Sequence, residues 1–207
     1  DTLGNQKKTN YALRANMTLE EFTAEVLDGL GNPPAYFPQN VMMNIQGYAS
    51  LDSVIDKSKK PLSPSEFNAI ANDTDAIIID VRHENDFVKC HNPRSIFIGL
   101  QGNFAPWVGS LIMNTKQPII LITPDGMENE TITRLSRVGF DHVLGYLEGG
   151  IEAWKKSGFE TDSIHSISPE EFSIEVNKQS IVIDARKPSE YDAEHVENAI
   201  NLPLDTI

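Results

Sequence analysis

The feature that most limits how this chain can fold is an internal repeat. Residues 62–100 (LSPSEFNAIANDTDAIIIDVRHENDFVKCHNPRSIFIGL) are echoed by residues 167–204 (ISPEEFSIEVNKQSIVIDARKPSEYDAEHVENAINLPL). The offset of about 104 residues has the length of a whole domain and is too long for a solenoid period. We therefore predict one complete domain over residues 62–160 and the opening part of a second copy over residues 161–207. The matching positions are Ser63 with Ser168, Glu66 with Glu171, Asp80 with Asp184, Arg82 with Arg186, and His91 with His195.

Helices alternate with buried strands through the complete domain. The runs AIIIDV (76–81) and PIILIT (118–123) are apolar and rich in β-branched residues, which is typical of strands covered on both faces. A capping box from Ser63 to Glu66 predicts a helix start before the first of these strands. The pattern predicts an α/β domain built on a mainly parallel sheet flanked by helices.

Two further segments precede this domain. Residues 1–46 hold one well-signalled helix, MTLEEFTAEVLDGLG, with a capping box from Thr18 to Glu21 and a stop at Gly29 and Gly31. The following NPPAYFPQN (32–40) is predicted to run extended because it holds three prolines. Residues 47–61 are polar with weak periodicity, so we predict a linker with at most one edge strand.

The composition excludes several classes of function. The 207 residues carry 17 basic and 30 acidic side chains, and the formal net charge of −13 disfavours nucleic acid as a partner. No run approaches the roughly 18 apolar residues of a membrane span. The single cysteine, Cys90, excludes an internal disulfide and a multi-cysteine metal site. We expect a cytoplasmic protein. Because the chain begins without methionine, we also expect it to be an excised piece of a longer one.

The segment LITPDGMENETI (121–132) has the layout of a strand, a tight loop and a helix start. Such a junction often holds a nucleophile or an anion at the helix N-terminus. Its acids allow two interpretations, which the sequence leaves open: either Asp125 or Glu128 fills the anion position, or both are simply first-turn helix acids. The loop offers no strong nucleophile. The candidate site residues are Thr123, Pro124, Asp125, Gly126, Met127 and Glu128.

Two motifs that bracket residues 62–160 resemble those of the rhodanese family. IIIDVRHENDFVKCHNPRSIFIGL resembles the family's opening motif, and GYLEGGIEAWKKSGF resembles its closing motif. The resemblance implies a fold that transfers sulfur as a cysteine persulfide, with the nucleophile directly after PIILIT. That position falls on or beside Thr123, and a hydroxyl does not ionise near neutral pH as a thiol can. The resemblance therefore implies a rhodanese-like domain without its loop cysteine. Acids at 125, 128 and 130 would also raise the pKa of any thiol there.

The residues that recur in both copies are predicted to have structural roles. Each arginine follows a strand aspartate by two residues, which predicts an ion pair near the strand end. Each histidine is predicted to pack or hydrogen-bond in a turn, and Trp154 is predicted to lie in the core. The residues concerned are Asp80, Arg82, His91, Asp184, Arg186 and His195.

Cys90 allows two interpretations. A free cysteine is commonly a small buried hydrophobe, and we favour that role. The alternative is a displaced nucleophile with His91 as its base, although adjacent side chains generally point apart. None of the five histidines has ligand-like spacing to another, so we predict no metal and no cofactor in this chain.

A second resemblance concerns residues 1–46. TLGNQKKTNYAL and MTLEEFTAEVLDGLGNPPAYFPQN are similar to the end of the metallo-β-lactamase fold in glyoxalase II-like persulfide dioxygenases. Joined to tandem rhodanese repeats, this arrangement resembles bacterial fusion proteins of sulfide and persulfide detoxification. The resemblance implies a mononuclear iron (or zinc) centre in a domain upstream of Asp1. It also implies glutathione or a low-molecular-weight persulfide as a ligand of the parent protein.

Two functions follow as hypotheses. In the first, the complete domain is a non-catalytic module that docks against, spaces or oligomerises the flanking domains of a persulfide dioxygenase–sulfurtransferase. In the second, the degenerate loop binds a small ligand or peptide at a rim formed by Phe104, Trp107 and Met127. The second copy raises a separate expectation. Its apolar strand would be an exposed edge if left bare, so we predict that the first domain, the N-terminal helix or a neighbouring copy covers Ile181, Val182 and Ile183.

Overall fold

The computed structural model describes residues 2–13, 16–28, 36–177 and 179–204. The chain forms two compact units, residues 1–33 and 34–207. In the first unit, helix α1 (Leu3–Thr9) is followed by a 3-10 turn and by helix α2 (Leu19–Leu27). The predicted capping box is confirmed, because the Thr18 N–H donates to Glu21 and the Glu21 N–H donates to the Thr18 hydroxyl. The predicted stop at Gly29 and Gly31 lies outside the described residues.

A five-stranded parallel sheet forms the centre of the second unit, in the order β1-β5-β4-β2-β3. This confirms the predicted α/β class. Every residue of β4 is fully buried, because helices cover both faces of the sheet. The strands are β1 (Pro61–Leu62), β2 (Ile77–Asp80), β3 (Ser95–Phe97), β4 (Ile119–Ile122) and β5 (Val143–Leu147).

The helices of this unit divide between the two faces of the sheet. One face packs on Val108 of α7 and Leu135 of α8. The other packs on Phe67 of α5 and Trp154 of α9. Trp154 is therefore a core residue, as predicted. In chain order the helices are α3 (Phe37–Gln46), α4 (Leu51–Ser58), α5 (Pro64–Asp73), α6 (Glu84–Lys89), α7 (Phe104–Leu111), α8 (Glu128–Ser136) and α9 (Gly150–Lys156).

The predicted linker over residues 47–61 is wrong in its main part, because α4 lies there. Val54 and Ser58 of α4 are buried, and the helix packs against α8. Ser50 caps the helix by accepting the Ser53 N–H. The single edge strand that the sequence allowed is present as β1, which pairs with β5.

The prediction of an extended NPPAYFPQN segment is also wrong where the structure describes it. Residues 37–40 belong to α3, because Pro38 falls within the first turn, where its missing N–H has no helical partner to lose. The ring of Tyr36, just before α3, is buried against Gly109 of α7. Helix α3 therefore belongs to the same compact unit as the sheet, so the compact unit begins well before the predicted boundary at residues 46 and 47.

The second copy repeats the opening elements of the first as α10 (Pro169–Glu175), β6 (Ile183–Asp184), α11 (Pro188–Ala193) and β7 (Ile200–Asn201). Strands β6 and β7 pair in parallel, as β2 and β3 do. Ile181 and Ile183 are 80% and 54% exposed, so the first domain does not cover them as one alternative predicted, whereas their cover by a neighbouring copy stays a prediction. The described part of the second copy holds no counterpart of β4, α7 or α8, which cover the equivalent residues of the first copy.

The connection between the two copies is held against the first domain. Backbone hydrogen bonds join His91 and Asp162 in both directions at 2.9 Å. The Ile164 N–H then donates to the Val88 carbonyl at 2.7 Å. The second copy therefore starts from a strand-like contact beside the end of α6.

Candidate functional site

The candidate loop, residues 123–128, joins β4 to α8 at the carboxyl edge of the sheet. Thr123 is 5% exposed, whereas Asp125 and Gly126 are exposed. The Met127 N–H donates to the Pro124 carbonyl at 3.1 Å and closes the turn. Gly126 has a φ of +79°, a conformation that favours glycine. The structure thus places the predicted site residues in one tight turn, with a buried hydroxyl at its base.

Glu128 turns back over this loop. Its Oε1 accepts the backbone N–H of Gly126 at 3.0 Å, and the residue is also the first of α8. Glu128 is therefore a first-turn acid of α8 that also accepts a loop N–H, and Asp125 is exposed. That either acid fills the anion position stays a prediction. Burial raises the pKa of Tyr146 on β5, and the nearby carboxylates of Glu128 and Glu148 raise it further. The loop is consequently a site of negative charge.

The third acid that the sequence placed at this loop, Glu130, is already paired. Its Oε1 accepts from Arg134 Nε at 2.7 Å, one turn along α8. Arg134 Nη1 also donates to the Leu100 carbonyl at 2.8 Å. Glu130 therefore belongs to an ion pair whose arginine also binds the segment after β3, and its charge is largely offset.

The predicted aspartate–arginine ion pairs are confirmed in both copies. Arg82 grips the carboxylate of Asp80 through Nε and Nη2 at 2.9 and 2.7 Å, and Nη2 also donates to the Cys90 carbonyl at 2.8 Å. Arg186 grips Asp184 through the same two atoms at 3.0 and 2.6 Å. These pairs close the loop that follows each strand.

The two aspartate–arginine pairs differ in how far their side chains are exposed to solvent. The side chains of Arg82 and Asp80 are 10% and 0% exposed, whereas those of Arg186 and Asp184 are 49% and 10% exposed. Hydrogen bonds from the Arg186 side chain and backbone lower the pKa of Asp184 to about 2. The same carboxylate raises the pKa of Arg186.

The repeated histidines have the predicted turn role. His91 Nδ1 lies 2.8 Å from the Phe87 carbonyl, and its ring stacks on Phe87 at 4.1 Å. His195 repeats both contacts with Tyr191, at 2.7 and 3.7 Å. Cys90 is half-buried and packs against the core cluster of α5 and α9. Among the described residues no hydrogen bond joins its sulfur to His91, so the alternative nucleophile lacks the contact with its base that it needs.

The rim proposed for a ligand is not formed as predicted. Phe104 is 1% exposed and lies in the core, and Met127 is half-buried against the same core. Trp107 is 37% exposed. Within residues 2–13, 16–28, 36–177 and 179–204, no group of three or more His, Cys, Asp or Glu side chains could hold a metal ion.

Across the part of the chain that the structure describes, no helix combines the length and the apolar character needed to cross a membrane.

Comparison with known proteins decides the family. The model of the rhodanese-like domain matches residues 63–157 and again residues 168–207, well over half of the chain. The chain belongs to the rhodanese-like domain family. Its parallel sheet is therefore that of a rhodanese-like domain, and threonine follows β4 directly.

Individual relatives are more distant. The uncharacterized protein YibN of Escherichia coli (strain K12) is 27% identical over 135 residues, which cover 63% of this chain and 91% of YibN. A crystal structure of a metallo-beta-lactamase from Staphylococcus aureus subsp. aureus COL superposes with a TM-score of 0.54 at 24% identity. That match covers 71% of this chain and 40% of the other, and it shows a shared fold. The Alr3790 protein from Anabaena sp. matches half of this chain and 82% of its own, with a TM-score of 0.45 and 21% identity.

The sequence predicts the loop but not the contact between Glu128 and Gly126 within it. Asp125 and Glu128 both carry carboxylates and lie three residues apart, so only the backbone path decides which one reaches the Gly126 N–H. Tyr146 was missed as well, because it lies on a different strand and no motif marks it.

Proposed function

We propose that the complete rhodanese-like domain is a non-catalytic module that docks against and spaces the flanking domains of a sulfur-metabolism protein. The observation that carries this proposal is the buried Thr123 at the end of β4, where the family resemblance puts the catalytic cysteine. A hydroxyl neither ionises near neutral pH nor carries a persulfide sulfur. The domain keeps its fold without the group that would perform the chemistry.

The charge at the loop supports the same conclusion. An active loop of this kind offers free N–H groups to an anionic sulfur. Here the Gly126 N–H is already taken by the carboxylate of Glu128. An incoming anion would lie beside that carboxylate and the exposed Asp125, and these like charges would repel it. Cysteine at position 123 alone would therefore not restore an efficient site.

The parent protein is proposed to be a metallo-β-lactamase-fold persulfide dioxygenase joined to rhodanese repeats. The similarity of residues 1–46 to the end of that fold supports this, as does the shared fold with the Staphylococcus aureus metallo-beta-lactamase. The described residues offer no metal cluster, so the mononuclear iron or zinc and its glutathione or low-molecular-weight persulfide substrate are assigned to the upstream domain. The partners of the present chain are then its own flanking domains.

Sulfurtransferase assays test the proposal. We expect the chain to show no thiosulfate:cyanide turnover, and none with glutathione persulfide as the donor, above the rate in buffer. Turnover that disappears in Cys90→Ser would contradict the proposal and would establish Cys90 as a nucleophile. In the parent protein, Thr123→Val should leave the sulfurtransferase rate unchanged, and a loss with the fold intact would contradict a non-catalytic role.

A further inference from the structure

A pocket of about 220 Å³ lies on the side of the sheet that α5 and α9 cover. It is lined by the end of α5, by the segment that leads into β3, and by Trp154 and Phe159. These segments lie at the edge of the parallel sheet where β2 and β3 begin, whereas the loop of residues 123–128 lies at the edge where β4 ends. The pocket is therefore separate from the candidate loop.

Arg94 brings a positive charge to this pocket without a carboxylate partner. Its Nη1 donates to Asn72 Oδ1 at 2.6 Å, and its Nη2 donates to the Ala71 carbonyl at 2.5 Å. Both acceptors are neutral, and no ion pair of Arg94 occurs in the part of the chain that the structure describes. A guanidinium carries five N–H donors, so the two bonds position the group and leave donors for a further acceptor. The charge favours an anion in that place.

Asn92 adds a buried donor to the same pocket. The residue is 3% exposed, and its Oδ1 accepts the backbone N–H of Arg94 at 2.8 Å. Among the described residues no hydrogen bond uses its Nδ2 group, although a buried amide donor ordinarily has a partner. Because Asn92 lines the pocket, an acceptor bound there would satisfy this donor.

The remaining walls accept an apolar body about the size of one ring. Trp154 and Phe159 stack with their ring centroids 4.4 Å apart, and Ile78 lines the pocket beside them. The Trp154 Nε1 donates to the Glu160 carbonyl at 2.7 Å, so the indole offers a ligand only its ring surface. A cavity of roughly 150 Å³ can hold benzene, and sites for larger ligands begin at about 300 Å³. A volume of about 220 Å³ therefore fits a single ring with a small polar group.

We propose that this pocket binds a small free carboxylate whose apolar body is no larger than one ring. The carboxylate accepts hydrogen bonds from Arg94 and from the Asn92 Nδ2 group, and hydrogen bonds of this charged kind are stronger than neutral ones. The ring packs on Trp154 and Phe159. Glu160, an exposed acid that also lines the pocket, disfavours an anion and limits the affinity. This proposal is independent of whether the candidate loop is catalytic.

Nitrogen-15 NMR titration of the 207-residue chain with benzoate tests the proposal. We expect the side-chain amide signal of Asn92 and the indole signal of Trp154 to shift, with a dissociation constant of about 1 mM for so small a ligand. Trp107 lies outside the pocket, so its indole signal should stay in place and serves as the internal control. Benzamide has the same shape without the charge and should bind about tenfold more weakly. An unmoved Asn92 signal, or equal affinities for the two compounds, would overturn the proposal.

Variants test the two polar groups separately. Asn92→Asp keeps the acceptor for the Arg94 N–H but replaces the donor by a carboxylate oxygen, so benzoate binding should weaken at least about tenfold. Arg94→Gln should weaken it to a similar extent. Arg137→Gln is the matched control, because it removes an exposed charge outside the pocket and should leave the affinity unchanged. Glu160→Gln should strengthen binding, a gain that loss of the fold cannot produce.

The carboxylate at the end of a peptide offers the same chemistry as a free small molecule, and a further titration distinguishes the two. A short acetylated peptide that ends in phenylalanine should bind no more tightly than benzoate. Tighter binding of the peptide that Arg94→Gln removes would overturn the assignment to a free small molecule. Benzoate binding that is unchanged in both Asn92→Asp and Arg94→Gln would overturn the site itself.

Discussion

The ring of Tyr36 lies directly on Gly109, so closely that the space where a Cβ would stand is occupied by the ring itself. The contact joins the start of α3 to the middle of α7, and Tyr36 is buried by it. Glycine is therefore required at position 109 because a larger side chain would collide with the Tyr36 ring, although the backbone there is ordinary α-helix. The contact also explains why α3 belongs to the compact unit of the sheet.

Gly109→Ala should lower the free energy of unfolding by about 1–3 kcal/mol, the usual range for overpacking a core. Helix propensity alone favours alanine over glycine by about 1 kcal/mol, so any net loss measures the clash. Urea denaturation followed by circular dichroism gives the value. In a Tyr36→Ala background the same substitution should cost much less. An equal cost in both backgrounds would show that Tyr36 is not the cause.

The two aspartate–arginine pairs offer a matched comparison of burial. Asp80→Asn should lower the free energy of unfolding of the first domain by about 3–5 kcal/mol, because it leaves the buried Arg82 charge unpaired. Asp184→Asn removes the same contact from a pair whose arginine is half exposed, where solvent screens the charge, and should cost far less. Fluorescence of Trp107 and Trp154 during denaturation reports the first domain, and far-ultraviolet circular dichroism reports the second copy as well. Equal losses for the two variants would contradict the role of burial.

Acid should loosen the second copy over a defined range of pH. The pKa of Asp184 is about 2 in the folded chain, held down chiefly by the Arg186 side chain, against about 3.9 when unfolded. A lowered folded pKa means that the contribution of the pair is fully present above pH 4. It is lost as the pH falls from about 4 to 2. Carbon-13 NMR titration of the Asp184 carboxyl measures this directly. Arg186→Ala should raise the pKa towards its unfolded value, whereas Arg82→Ala should leave it unchanged.

A thiol placed at the end of β4 should be a poor nucleophile. In a Cys90→Ser background, Thr123→Cys should have a thiol pKa above the reference value of about 8.5, because Glu128 and Asp125 disfavour the thiolate. Adding Glu128→Gln should lower that pKa. Adding Glu130→Gln is the control and should change it less, because Arg134 already pairs with Glu130. The pH dependence of alkylation by iodoacetamide gives each value. A pKa well below 8 in the single variant would refute the charge argument.

Much of the sheet could be predicted because its signals are local. The apolar runs of β2 and β4, and the capping box from Ser63 to Glu66, each lie within a few residues and were found in place. Helix α4 was missed because its inward face includes Ser58. Serine at that position removes one apolar residue from the i, i+4 pattern, and only packing against α8 shows that the position is buried.

The candidate site also combines features that local sequence predicts with features that depend on the path of the folded chain. Its position after β4 follows from motifs, and the ion pairs follow from a spacing of two residues between Asp80 and Arg82. The contact of Glu128 with Gly126 depends on the path of a tight turn, which a list of residue types does not determine. The exposure of Ile183 depends on which other elements stand beside it, and its counterpart Ile79, with nearly the same local sequence, is fully buried.

The strand-like contact between His91 and Asp162 has a mechanical consequence. After Ile164 is held to Val88, only three residues remain before Ser168 caps α10. Even at full stretch, four steps of about 3.5 Å span no more than about 14 Å. The connection to α10 is therefore short, and it keeps the second copy close to the end of α6. At that distance the effective concentration of the second copy towards the first domain is high, so a weak attraction between the two copies would suffice to hold them together.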